Sequence, residues 1–141
     1  MEAIQDGYTL RGYIAGKPGV YDPLSFLYRP VLPLAKSKYR GKLQLVLADA
    51  AIPDDQKEVE AEKLNIRMTA EHVVEWNLRD HEGRPVPVGP EAIERHFPAR
   101  RWDRLFQIVS LGDQSDPLPG GQRLEHVDLV EAAKNSPRAS G

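Results

Sequence analysis

Tyr8-Thr-Leu-Arg-Gly-Tyr-Ile14 and Leu24-Ser-Phe-Leu-Tyr28 carry the alternation on which the fold is built. In the first, Tyr8, Leu10 and Ile14 alternate with Thr9, Arg11 and Tyr13, the period of two that marks a half-buried strand. In the second, Leu24, Phe26 and Tyr28 alternate with Ser25, Leu27 and Arg29. The connection Ala15-Gly-Lys-Pro-Gly-Val-Tyr-Asp-Pro23 is rich in breakers, so the two strands read as an antiparallel hairpin. Gly12 within the first strand signals a bulge or close packing. An isolated hairpin is marginal in water, so the face bearing Leu10, Ile14, Phe26 and Tyr28 must lie on another element, the next helix being the nearest.

Pro30 and Pro33 close the second strand. Ala35, Tyr39, Leu43, Val46, Leu47 and Ala50 then recur at helical spacing, with Pro33 suited to a first turn. Gly41 weakens this helix by about 1 kcal/mol relative to Ala. Ile52-Pro-Asp-Asp55 ends one element and starts the next, Asp54 serving as cap and Asp55 and Glu58 meeting the positive end of the dipole. The stripe Val59, Ile66, Ala70, Val73 and Val74 predicts a helix from Asp55 to Trp76, with Thr69 a candidate internal N-cap. Asp80-His-Glu-Gly83 reads as a turn and Pro85-Val-Pro-Val88 as extended chain. Gly89-Pro90-Glu91 opens a short helix through Ile93 to Phe97, and Pro98 breaks or restarts it. Trp102, Leu105, Phe106 and Val109 form the next apolar face, which Gly112 terminates.

The fold class is therefore α+β: an N-terminal antiparallel hairpin packed on a small helical domain, with a flexible C-terminal region. Residues 1–112 are expected to form a single globular domain. Residues 113–123 have almost nothing to bury and read as a linker. Within 124–141, Leu124, Val127, Val130 and Ala133 can line a short helix, marginal unless docked, ahead of a disordered tail.

At 141 residues the chain is long enough for one domain, and such a domain buries roughly 68–70% of its unfolded surface. Its 40% hydrophobic and 28% charged residues are ordinary globular usage, while 11 Gly and 12 Pro predict short elements and many turns. A formal net charge of -2 creates no global attraction to nucleic acid or anionic lipid. With no Cys, disulfides, thiolate nucleophiles and the common structural zinc sites are excluded. No stretch reaches the ~20 apolar residues of a membrane span, and the start has no signal-peptide pattern. These features predict a cytoplasmic protein with no membrane partner.

Little in the sequence points to reactive chemistry. His72, His81, His96 and His126 are too scattered for a metal-binding pair. His81 between Asp80 and Glu82 reads as a solvated turn, and His72 with Glu75 as a surface pair on one helix face. No Gly-x-Ser-x-Gly elbow occurs, and the Gly-Lys-Pro-Gly run at Gly16 lacks the spacing of a phosphate loop. Carboxylates between Asp54 and Glu75 alternate with Lys and Arg, as on a solvated helix face. Trp76 reads as a core residue at the junction between elements. The expectation is a protein without enzymatic activity, cofactor, metal or small-molecule substrate. Two basic clusters could meet phosphates: Lys36, Lys38, Arg40 and Lys42, and Arg95, Arg100, Arg101 and Arg104 around Trp102.

One resemblance joins these pieces. Tyr28-Arg29-Pro30 after a hairpin is followed by a helix ending in His72-Val-Val-Glu-Trp-Asn-Leu78. Asp80, Gly83 and the Pro85-to-Glu91 run come next, and then Trp102-Asp-Arg-Leu-Phe-Gln-Ile108. In that order they resemble the small tail assembly chaperones of tailed phages and prophages, over about Tyr8 to Gly112. The resemblance implies a non-catalytic protein of the bacterial host cytoplasm. Such a protein binds the tape measure protein and keeps it soluble while major tail protein polymerises around it. Some members of that family are also made with a C-terminal extension by frameshifting, which recruits tail tube protein. With no obvious second domain, this chain reads as the short form, with the existence of a longer one and self-association open. The residues singled out for partner contact are Leu124, Val127 and Val130, with Trp102 and Arg101. The alternatives are a structural virion or tail-completion component and a small nucleic-acid-binding module.

Overall fold

A computed structural model of the chain describes residues 9–120. Three strands, β1 (Leu10–Ile14), β2 (Leu24–Tyr28) and β3 (Val73–Trp76), form one antiparallel sheet in the order β1-β2-β3. Four helices accompany it: α1 (Pro33–Ala48), α2 (Asp54–His72), α3 (Pro90–His96) and α4 (Ala99–Leu111). The fold is α+β, as the alternation in the hairpin predicts. None of the described helices is long and apolar enough to cross a membrane.

The hairpin pairs Leu10 with Tyr28, Gly12 with Phe26 and Ile14 with Leu24, so the large side chains of β2 face the helices. Gly12 is a close-packing position: a Cβ there would stand 2.3 Å from the Phe26 ring. The connection closes as a turn in which the Lys17 amide bonds the Tyr21 carbonyl. Tyr8, the first residue of the expected strand, lies outside the described residues.

β3 corrects the helix expected from Asp55 to Trp76. α2 stops at His72, and the chain passes straight into a strand that pairs Val73 with Tyr28, Glu75 with Leu27 and Trp76 with Phe26, with an irregularity between Leu27 and Tyr28. Ile66, Ala70 and Val73 keep helical spacing, which hides the boundary. The β-branched pair Val73-Val74, with β2 available as partner, favours pairing over another helical turn. Thr69 is accordingly no N-cap. It is fully buried inside α2, and its hydroxyl lies 2.9 Å from that of Ser110 on α4. The cap position at the start of α2 belongs to Pro53, not Asp54; Asp54 and Asp55 sit in the first turn, where the dipole favours them. The pairing of His72 and Glu75 on one helix face also dissolves, since Glu75 belongs to the strand.

The core collects Leu10, Ile14, Leu24, Phe26 and Tyr28 from the hairpin, Ile66 and Ala70 from α2, Ile93 from α3, and Trp102, Leu105, Ile108 and Val109 from α4. α4 occupies its centre, with Leu105 and Ile108 wholly buried, and Gly112 ends it in the left-handed conformation at φ 74°. Trp76 is half-buried at the sheet's margin, its indole donating to the Val86 carbonyl at 2.7 Å and packing on Phe97.

The globular part does not end at Gly112. Ser115 is buried and accepts the Tyr13 amide at 3.0 Å, while the Asp116 carboxylate accepts the Ala15 amide and the Asp116 amide donates to the Tyr13 carbonyl. Arg104 fixes this segment with bonds to Asp113, to Asp116 and to the Gln114 carbonyl. Residues 113–116, expected as linker because they carry no apolar side chain, are held by polar groups along the edge of β1. The remainder of the expected linker beyond residue 120, with the expected helix and tail, lies outside the described residues.

Candidate interaction surface

α1 packs chiefly on α2, so the two form an arm beside the core. α2 is apolar on two sides: Ile66, Thr69 and Ala70 turn to the core, while Met68 on the opposite face is also buried. α1 has only Tyr39 buried. Its phenol is pushed up to about 12 by burial and by a hydrogen bond to Glu71 of α2, so the hydroxyl stays protonated as the donor. The stripe expected to bury α1 is thus mostly half-exposed, and Leu47 within it is 50% exposed. Leu34 and Leu45, about three turns apart and so on one side, are 86% and 74% exposed. With Leu32 and Val59 they make the arm the main concentration of exposed large apolar side chains among the described residues.

A concave feature lies at the turn end of the hairpin. A cleft of about 810 Å³ runs between the Val20–Leu24 segment, the Asn77–His81 segment, His96 of α3 and Arg101 of α4. The Asp80 carboxylate shapes one wall by accepting the Arg84 and Glu82 amides, bonds that hold its pKa below the usual value and keep it ionised. Gly83 takes φ 80° there, as the turn reading requires. Arg101 forms the floor. It is 4% exposed, donates from Nη2 to the Asp22 carbonyl, and lies 4.9 Å from the Tyr21 ring centre and 5.3 Å from that of Phe97. Its Nε has no hydrogen-bond partner, and burial lowers its pKa despite the opposing influence of Tyr21 and Asp22.

Neither a family model, a curated protein nor a solved structure matches this chain. Its surfaces therefore speak through their own residues. Of those expected to contact a partner, Trp102 is in the core, its indole bonded to the Glu62 carboxylate and its ring against Phe106. Arg101 reaches a cleft on another side, so these sequence neighbours do not share a surface. Leu124, Val127 and Val130 lie outside the described residues. The second basic cluster also comes apart. Arg101 is buried, and Arg104 is committed to the 113–116 segment, where its own burial is outweighed by Asp113 and Asp116, which raise its pKa. Among the described residues no group of three or more His, Asp or Glu could hold a metal ion.

Apolar residues at helical spacing read as a core stripe, and this hides the exposed leucines of α1. Leu34 and Leu45 fall off that stripe, the one signal of them that the sequence offers. Nothing in the sequence marks the cleft, whose walls come from four separate segments.

Proposed function

We propose that this chain is a non-catalytic assembly chaperone of a phage-like tail, acting in the host cytoplasm by covering apolar stripes on the tape measure protein and/or the major tail protein. The observation that carries the reading is the α1–α2 arm, which leaves Leu32, Leu34, Leu45, Leu47 and Val59 exposed beside a well-packed core. Exposed apolar surface of this kind marks sites of protein association, and a helical client supplies the matching stripe by helix-in-groove docking. The order of motifs from Tyr28-Arg29-Pro30 to the Trp102–Ile108 helix supports the same class. The nucleic-acid alternative loses support because Arg101 is buried and Arg104 is paired with Asp113 and Asp116, so the basic cluster is not presented on one surface.

Two measurements test this. Sequencing around the coding region should reveal a downstream frame for a very long helical protein near a tail-protein frame; a neighbourhood of metabolic genes would sink the reading. Co-production with that long protein should keep it in the supernatant, and Leu34→Asp with Leu45→Asp should abolish the rescue. Should the double variant instead rescue fully, the arm is not the client surface.

A further inference from the structure

We propose that the cleft beside Arg101 binds a small organic carboxylate, its charged end at the guanidinium and its apolar body along Val20, Leu24 and Leu78. Such binding is independent of the assembly role. A buried cation is costly unless paired, yet no carboxylate of the described residues lies within ion-pair distance of Arg101. One carbonyl bond from Nη2 and an unpartnered Nε are poor compensation for a side chain only 4% exposed. Tyr21 and Phe97 lie within cation–π distance of the guanidinium, Nη2 is taken by the Asp22 carbonyl, and the edge of the planar fork that lines the cleft matches a carboxylate. Arg101 also stands in the first turn of α4, where the helix dipole adds positive potential.

The other wall groups select the charge of the ligand. Arg79 donates to the Gly83 carbonyl and keeps its positive charge, while the charge of Asp80 is met by Arg84. Asp22 lines the same cleft, and a second negative charge on the ligand would be repelled by it. A monoanion is favoured over a phosphate dianion. His81 and His96 add polar edges at the walls, and Leu24 and Leu78, both buried, provide apolar ones.

The test is a titration of the full-length protein, followed by amide and arginine Nε–H resonances, with benzoate, acetate, benzyl alcohol and inorganic phosphate at matched ionic strength. The expected result is saturable shifts with benzoate at Arg101 Nε–H, Leu24 and Leu78, with acetate weaker and benzyl alcohol without effect on Nε–H. Arg101→Met should weaken benzoate at least tenfold. Because Arg101 is buried, a second variant guards against loss of the fold: Val20→Asp, at a position 59% exposed, puts a negative charge on the wall and should also weaken binding severalfold. Absence of saturation, undiminished affinity in both variants, equal response to benzyl alcohol, or tighter binding of phosphate would each overturn the proposal.

Discussion

Leu105 and Leu45 are the same side chain in two helices of one small protein, one wholly buried and the other 74% exposed. In α4, Trp102, Leu105 and Val109 fall at i, i+3 and i+7, so a single face carries the apolar surface and one docking event covers it. In α1, Tyr39 and its half-buried neighbours take the side toward α2, and Leu34 and Leu45 are left on another side with nothing against them. Helical spacing identifies both as helices. Whether an apolar residue is covered depends on how many faces the neighbouring elements can reach, and α1 has essentially α2 alone.

Truncating both leucines puts this contrast at the greatest risk. Leu105→Ala should cost about 2–5 kcal/mol in urea unfolding, whereas Leu45→Ala should stay within about 0.5 kcal/mol. Comparable losses would mean that the arm is covered in solution. At the hairpin, Gly12→Val should cost about 1–3 kcal/mol as overpacking, because the Phe26 ring occupies the space of the new side chain. Tolerance without loss would show that Phe26 swings aside.

Thr69→Val probes a buried polar link between arm and core. It should cost about 1–3 kcal/mol by stranding Ser110, and adding Ser110→Ala should cost less than the sum of the single changes. Strict additivity would remove the bond. The smallest effect belongs to Tyr39, whose folded pKa of about 12 lies above the ordinary 10.0. Its contribution is complete below pH 10 and is lost as pH rises toward 12, so Tyr39→Phe should flatten the fall in stability over that window. Parallel profiles for variant and wild type would place the hydroxyl in water.

The hairpin, the Asp80–Gly83 turn, the short helix opened by Pro90 and the helix closed by Gly112 are all legible in the sequence, because each rests on local chemistry: alternation, an Asx turn, a fixed proline φ, a left-handed glycine. β3 is not, because Val73 satisfies both helical spacing and strand propensity, and only the partner strand decides between them. The 113–116 segment is hidden for a different reason. Its anchorage is polar, through Ser115, Asp116 and a distant Arg104, and hydropathy patterns do not register it. The cleft needs the whole fold, and Trp102 and Arg101, adjacent in sequence, point to opposite tasks.

The absence of any loop between α2 and β3 makes the arm a lever. His72 ends the helix and Val73 opens the strand, with the Arg29 amide bonded to the His72 carbonyl at the fulcrum. Tension applied along α2 would pass through continuous backbone into the sheet, with no slack turn to absorb it. A load on the arm would thus be read out first as altered amide exchange along β3, some distance from where the load is gripped.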